Sequence, residues 1–150
     1  MRLIGVWAFL GTLGSRSEAV HVVNVREEYH AHFYYTQASR GGALQVYAKA
    51  LKEFAKIADV KAPVDRPIGP HTQPMFEIAF CRQQLSWVNR WLMENRGEAS
   101  VLVHPVLPDE IAAHSTEAWW LGEALPLNFS ELKRNVVNEM GTGQGVRGAL

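Results

Sequence analysis

Apolar residues along this chain recur at two spacings, which predict strands in some segments and helices in others. Four segments are short and rich in aromatic or β-branched residues, as strands are: 29–35, 60–64, 75–80 and 100–103. Apolar residues three and four positions apart predict a helix over 44–58 and another over 85–92, which Gly97 ends. The resulting order, β-α-β-β-α-β, is the split βαβ arrangement. We therefore predict an α+β, ferredoxin-like sandwich, an antiparallel sheet with helices on one face.

Each of the two predicted helices presents one apolar stripe to the sheet. The stripe of the first helix consists of Leu44, Tyr47, Ala48, Leu51, Ala55 and Ala58. The stripe of the second consists of Leu85, Val88 and Leu92, supported by Trp87 and Trp91. Two further helices are predicted after the last strand, a short one over 109–114 and an extra C-terminal helix over 130–140.

Strand periodicity separates polar from apolar side chains, because residues two apart lie on the same face of a sheet. The apolar sets are Ala31, Phe33 and Tyr35 in the first strand and Phe76, Ile78 and Phe80 in the third. We expect the helices to cover these sets. The first strand lies between the third and the fourth in this topology, so the polar residues should meet on the helix-free face: His30, His32, Tyr34, Glu77 and His104.

Composition adds the candidate chemistry. The chain has 150 residues with 15 basic and 15 acidic side chains, and its formal net charge of zero argues against nucleic acid or an anionic membrane as a partner. The single cysteine, Cys81, excludes a disulfide within the chain, a zinc finger and an iron–sulfur cluster, and is expected to be buried. Six histidines remain, so any metal would be bound by imidazole and carboxylate groups.

Several imidazoles beside a carboxylate suit a divalent metal, and two histidines with one carboxylate suit non-haem Fe(II). The plainer alternative is a set of partly buried histidines that only form hydrogen bonds. Glu77 has a plain alternative as well, an ion pair with an arginine such as Arg66 or Arg82.

The length suits one domain, which we place at residues 29–128. Residues 1–28 are predicted to be a leader or N-terminal extension, and residues 129–150 a C-terminal helix and flexible tail. Residues 1–19 hold a basic start, an apolar run and a small-x-small site, the parts of a secretory signal peptide, with an over-extended start or a disordered leader as alternatives. The run is too short to span a membrane. We expect a cytoplasmic protein, or an exported one if the signal is functional.

A series of short motifs follows in order along residues 29–128. They are Tyr29-His30-Ala31-His32, Gly69-Pro70-His71, Pro74-Met75-Phe76-Glu77, Leu102-Val103-His104-Pro105, Asp109 through His114, Trp120-Leu121-Gly122 and Leu125-Pro126-Leu127. In this combination the chain resembles the DOPA 4,5-dioxygenase family of small extradiol dioxygenases. The motifs cover about two thirds of the chain, and their order and spacing are more specific than any one of them.

The resemblance implies a ferredoxin-like fold and metal-dependent cleavage of the ring of a catechol such as L-DOPA, with O2 as co-substrate. It implies Fe(II) as the cofactor, with another divalent metal such as Zn as the alternative in a purified sample. The implied metal ligands are His32, His71 and His104, with Glu77 as the carboxylate candidate. Catalytic acid–base roles are expected for His30, which is alternatively a further ligand, and for His114, whose alternative is a histidine on the helix surface. Substrate contacts are expected from Tyr34 and from Arg66, whose alternative is a solvent-facing loop arginine.

Two other classes of protein are weighed against this interpretation. A two-histidine phosphoesterase needs a pair of H-x-T/S motifs, and among the motif histidines only His114-Ser115-Thr116 fits. A non-catalytic, dimeric ferredoxin-like protein that binds a small ligand or a metal stays open. In either case a homodimer is expected, because a second subunit is a simple cover for an open sheet face.

Overall fold

The computed structural model describes residues 27–133. Its strands are β1 Glu28–Tyr34, β2 Ala58–Val60, β3 Met75–Cys81, β4 Val101–Pro105 and β5 Trp119–Leu121. Its α-helices are α1 Arg40–Glu53, α2 Leu85–Asn95 and α3 Glu110–His114. Single 3-10 turns occupy Arg82–Gln84 and Phe129–Glu131. No helix among the described residues is long and apolar enough to cross a membrane.

The five strands form one antiparallel sheet in the order β2-β3-β1-β4-β5. The first four have the predicted ferredoxin-like arrangement, with β1 between β3 and β4, so the fold class is confirmed. Strand β5, which pairs with β4, was not predicted from the sequence. Strand β2 begins two residues earlier and ends four residues earlier than predicted, because α1 ends at Glu53 and the chain turns there. The predicted leader lies outside the described residues apart from its end, as does most of the predicted C-terminal helix.

The main core lies between the sheet and the helices α1 and α2. Its sheet side is the predicted apolar set, which includes Ala31, Phe33, Phe76, Ile78, Phe80, Val101 and Val103. Helix α2 contributes the buried residues Val88, Trp91 and Leu92, as its stripe predicts, and Gly97 follows its end with a φ of 56°. A positive φ is the usual conformation of a glycine that ends a helix, so that stop signal is confirmed.

The predicted stripe of α1 is wrong by about one position. Of the predicted stripe, Tyr47 and Ala58 pack against the core. The other residues of this segment that join the core are Ala43, Val46, Ala50, Phe54 and Ile57. Leu51, expected in the core, is 43% exposed. Helix α1 has apolar residues on most of its sides, so their spacing is compatible with two different buried stripes. The structure buries the one that includes the small side chains of Ala43 and Ala50.

Within residues 27–133, no long helix covers the second face of the sheet. At one end, Tyr34, Met75 and Leu102 form a small apolar cluster with Trp120 and Leu127. The other end carries the polar residues of β1, β3 and β4, and the loop that contains His71 and the short helix α3 lie against it. Cys81, expected to be buried, is exposed because it ends β3 on this face.

Candidate metal centre

The register of the central strands brings the predicted polar residues together on the helix-free face. His30 of β1 pairs directly with His104 of β4, and His32 pairs with Glu77 of β3. A slip of one residue in any strand would have moved its side chains to the other face, so this prediction depended on three correct registers. All three are confirmed.

His71 reaches the same face from a tight turn outside the sheet. The backbone groups of Ile68 and His71 exchange two hydrogen bonds across Gly69 and Pro70, with N···O distances of 3.1 and 3.0 Å. Gly69 has a φ of 55°, a backbone conformation that is unfavourable for residues with a Cβ atom. The amide of Asn128 donates to the carbonyl of Pro70 at 2.8 Å and fastens the turn to the C-terminal segment. The turn therefore presents His71 as a rigid unit.

His114 is the last residue of α3, which is only five residues long. The Asp109 carboxylate accepts a hydrogen bond from the amide of Ala112 at 3.0 Å and caps the start of this helix. At the other end, His114 Nδ1 donates to the carbonyl oxygen of Glu110 at 2.9 Å. The cap and this bond orient the imidazole toward the sheet.

Five of the six histidines form one cluster: His30, His32, His71, His104 and His114. The ring centroid of His32 is 4.0 Å from that of His71 and 5.2 Å from that of His104. Potential ligand atoms lie within 4.8 Å of one another in two groups, His30 with His32 and His104, and His32 with His71 and His114. His32 belongs to both groups. The ligand trio expected from the resemblance is thus divided between two groups that share one member.

Burial keeps most of these imidazoles neutral. The loss of solvation lowers the pKa of His71 to about 4 and that of His104 to about 3, and the nearby His114 adds to both shifts. Burial also lowers the pKa of His32 and of His114. Neutral imidazole is the form that binds a metal, so burial keeps these side chains in the protonation state that a metal site requires.

The hydrogen bonds identify which ring nitrogens can bind a metal. A carbonyl oxygen only accepts, so Nδ1 of His104, bonded to the Pro105 carbonyl at 2.8 Å, carries the proton. The same argument applies to Nδ1 of His114. In both neutral rings Nε2 then has a free lone pair. Bonds of this kind from the outer nitrogen to a carbonyl are typical of metal-binding histidines.

His32 provides the sharpest test of the fit to a metal. Its Nδ1 is buried without a hydrogen-bond partner among the described residues. Its Nε2 lies 3.0 Å from Nε2 of His104. Two imidazole nitrogens bound at right angles to one ion, at about 2.1 Å each, would also lie about 3 Å apart. The short distance fits one ion shared by the two Nε2 atoms, and the unpaired Nδ1 is a second position at which the same ring could bind a metal.

The carboxylate candidate lies beside the cluster. Glu77 Oε2 is 3.6 Å from His30 Nδ1 and 3.8 Å from His32 Nδ1. These partners are histidines, whereas the plain alternative named an arginine. Glu77 is in neither of the two groups of potential ligand atoms.

The two predicted substrate contacts are placed elsewhere. The Tyr34 side chain is buried under Trp120, with ring centroids 5.6 Å apart, and its hydroxyl lies 2.7 Å from His71 Nδ1. Arg66 is exposed, and its guanidinium donates to the carbonyl of Pro67 at 3.4 Å. Neither lines the cavity at the histidine cluster, so both roles stay predictions without a contact to support them.

The cluster opens into a cavity of about 370 Å³, a size that accepts a small aromatic molecule. Its lining includes three residues that the sequence did not single out: Glu110, Glu131 and Leu132. Glu110 could have been found, because it lies four positions before His114 and therefore on the same face of α3. Nothing in the local sequence marks Glu131 or Leu132, which reach the cavity through the path of the C-terminal segment.

The protein has an antiparallel ferredoxin-like sheet, and imidazoles surround a cavity on its open face. This combination of fold and site defines a candidate metal-binding protein. Comparison with known proteins identifies the family. The chain belongs to the Dopa 4,5-dioxygenase family, whose model matches residues 29–131. The resemblance found in the sequence motifs is confirmed.

Individual relatives agree with this family. The chain is 33% identical over 113 residues to a DOPA 4,5-dioxygenase of Amanita muscaria, covering 71% of this chain and 50% of that protein. It is 34% identical over 121 residues to an uncharacterized 21.2 kDa protein of Botryotinia fuckeliana, covering 73% of this chain and 66% of the relative. The matches thus span between half and just under two thirds of these relatives.

A solved structure shares the fold. The crystal structure of "a putative dioxygenase" from Nostoc punctiforme superposes with a TM-score of 0.63 at 36% sequence identity. The match covers 70% of this chain and 90% of that one.

Proposed function

We propose that this chain is a metal-dependent extradiol dioxygenase, which opens the aromatic ring of a catechol such as L-DOPA with O2. The observation that carries the proposal is the convergence of five imidazoles on one cavity in a chain of the Dopa 4,5-dioxygenase family. In the reaction the carbon–carbon bond beside the diol breaks, and both atoms of O2 enter the product, a muconic semialdehyde.

The metal is proposed to be Fe(II), with Zn as the alternative in a purified sample. His32 is the central ligand, since it belongs to both groups of ligand atoms. His71 and His104 are the further proposed ligands, with Glu77 as the carboxylate. When bound, the ion would supply the Lewis acidity and the redox chemistry that let the diol react with O2.

The residues of the chain bind the ring and move its protons. Val106, Leu107 and Leu132 give the cavity an apolar wall, against which an aromatic ring can pack. His30 Nε2 lies 3.2 Å from the Glu28 carboxylate, so that side chain is held at the edge of the cluster. An imidazole at that edge can accept a proton from the diol and return it later. His30 is proposed for this role, with His114 as the second candidate.

The proposed activity is tested by loading the purified protein with Fe(II) without oxygen, then adding L-DOPA and air. We expect a yellow product, and no product when the metal is removed by a chelator. Bound metal without turnover of any of several catechols would refute the dioxygenase and favour a binding protein. A chain that binds neither metal nor catechol would refute both.

The ligand proposal is tested by metal content and by activity. His32→Ala removes the histidine that the two groups share, and we expect it to lose bound metal and activity while its circular dichroism stays unchanged. His30→Ala and His71→Ala each remove a member of one group only, so the variant that loses more metal identifies the group that binds it. His21→Ala, outside the matched motifs, is the control. Full metal retention in His32→Ala would refute the assignment.

A homodimer is part of the proposal. The loop that carries His71, the helix α3 and the segment after β5 cover part of the second face themselves. The contact is therefore proposed for the remaining part of that face, around Ala79 and Cys81. Light scattering of the eluted protein is expected to give twice the chain mass of 16.8 kDa, and a mass of one chain would refute the dimer.

A further inference from the structure

Among the described residues that line the cavity, the carboxylates are the side chains that carry a permanent charge. Three carboxylates line it, those of Glu77, Glu110 and Glu131, and none of its described lining residues is a lysine or an arginine. The remaining polar side chains of the lining include the imidazoles of the cluster, which are the proposed side of the metal. A bound molecule therefore meets a negative rim beyond the histidines.

The three carboxylates differ in whether they already have a hydrogen-bond or ion-pair partner. Glu77 lies beside two imidazoles, at 3.6 and 3.8 Å. Glu110 Oε2 accepts a hydrogen bond from the amide of Lys133 at 2.7 Å. Glu131 is exposed, and its carboxylate has no hydrogen-bond or ion-pair partner within residues 27–133. Glu131 thus holds the carboxylate that is most free to bind a ligand group.

The backbone holds Glu131 in place at the mouth of the cavity. It ends the 3-10 turn Phe129–Glu131, which the Asn128 side chain caps by accepting from the amide of Ser130. Glu110 and Lys133 exchange two hydrogen bonds, since the amide of Glu110 also donates to the carbonyl of Lys133 at 3.1 Å. These bonds fasten the segment that carries Glu131 onto α3.

We propose that, among aromatic diols whose side chain carries a single charged group, the site selects a protonated amine over a carboxylate, and that Glu131 determines this preference. The inference rests on the proposed function. The diol end binds at the histidines, the ring packs against the apolar wall, and the ammonium group meets the carboxylates at the mouth. A carboxylate at that position would face like charge without a described cation to bind it.

A larger hollow adjoins the cavity on the same sheet face, and its charged side chains are also mainly acidic. It has a volume of about 980 Å³ and shares His30 and Glu77 with the cavity. Its lining contains more carboxylates than ammonium groups, and Lys61 is bonded to Asp59. A side chain that extended in this direction would also pass the Glu77 carboxylate.

The first test compares three catechols that differ only at the side-chain end: 3,4-dihydroxyphenethylamine, 4-ethylcatechol and 3-(3,4-dihydroxyphenyl)propionate. We expect kcat/KM to be about tenfold higher for the amine than for the acid, with the neutral compound between them. Glu131→Gln should reduce the amine-to-acid ratio about fivefold, chiefly through KM, and leave the neutral compound unchanged. Added salt should reduce the ratio as well, because the rim is exposed.

Glu123→Gln removes an exposed carboxylate that does not line the cavity, and is the matched control. An acid cleaved as well as the amine, or equal effects of the two substitutions on the ratio, would overturn the proposal.

The second test does not depend on turnover. Ligand-observed NMR on the metal-free protein measures binding of phenethylamine and 3-phenylpropionate, which lack the diol and cannot be cleaved. We expect binding of the amine, weakened by Glu131→Gln, and no preference for the acid. Equal binding of the two compounds overturns the charge preference. If no catechol is cleaved while the amine binds selectively, the proposed function fails and the charge preference stands.

Discussion

The Tyr34 hydroxyl shows how one buried group can orient a neighbouring histidine, the proposed ligand His71. It lies 2.7 Å from His71 Nδ1, and burial raises the pKa of the phenol, so Tyr34 stays protonated at any physiological pH. When Nδ1 of His71 donates to the phenol oxygen, Nε2 keeps its lone pair for a metal. Partners of this kind orient the ring and raise its basicity. Tyr34, expected as a substrate contact, is placed to act through His71.

Tyr34→Phe should weaken metal binding without removing a ligand. We expect a loss of about tenfold in metal affinity and of about 1 kcal/mol in the free energy of unfolding. Tyr35→Phe is the control, because the neighbouring hydroxyl donates to Asp65 at 2.8 Å on the opposite face. Metal titration and urea unfolding of the two variants measure both quantities. Equal losses of metal affinity in both would show that Tyr34 only stabilises the fold.

At the scale of elements, helix α1 and the strands differ in how closely their sequence determines the buried face. A strand has two faces, and one apolar set in each strand decides between them. A helix has a continuous surface, so when apolar residues lie on most of its sides, any of several adjacent faces could be the buried one. The sheet selects the stripe that lets α1 approach closely, with Ala43 and Ala50 against it.

Two leucines test this assignment. Leu92 of α2 is fully buried, and Leu92→Ala should lower the free energy of unfolding by about 2–5 kcal/mol. Leu51 belongs to the stripe predicted from spacing but is 43% exposed, so Leu51→Ala should cost less than about 1 kcal/mol. Urea unfolding of both variants gives the comparison. A similar cost for the two would restore the stripe predicted from the sequence.

At the scale of the whole molecule, the histidine cluster couples stability to pH. Gathering several imidazoles in one place removes them from water and puts them beside one another, and both effects disfavour their charged forms. In the unfolded chain each titrates near its ordinary pKa of about 6.5. In the folded chain the pKa of His71 is about 4 and that of His104 about 3. Between these values the unfolded chain binds more protons, so acid favours unfolding.

The metal-free protein should therefore be fully stable above about pH 7 and lose stability as the pH falls from about 6.5 toward 4. The slope is about 1.4 kcal/mol per pH unit for each histidine that stays neutral when folded. Urea unfolding between pH 7 and 5, with a chelator present, measures this slope. His71→Asn should flatten the curve by the share of one histidine. A stability that does not change in this range would contradict the burial of neutral imidazoles.

The sequence by itself determined the order of the first four strands and the two long helices, because local spacing and breaking residues decide each of these. It also placed His30, His32 and His104 on one face, since strand alternation is strict and the apolar sets identify the covered side. With the sequence motifs it reached the correct family.

Only the tertiary structure decided what depends on contacts between distant segments. The turn at Gly69 and the cap at Asp109 explain how His71 and His114 are presented, but the approach of these residues to His32 depends on the path of two connections. The same holds for the edge strand β5, whose three residues gain their hydrogen bonds from β4. The carboxylates of Glu110 and Glu131 meet at the cavity because residues 128–133 return across α3. The spacing of residues along the chain does not predict such long-range contacts, because they form only when packing brings distant segments together.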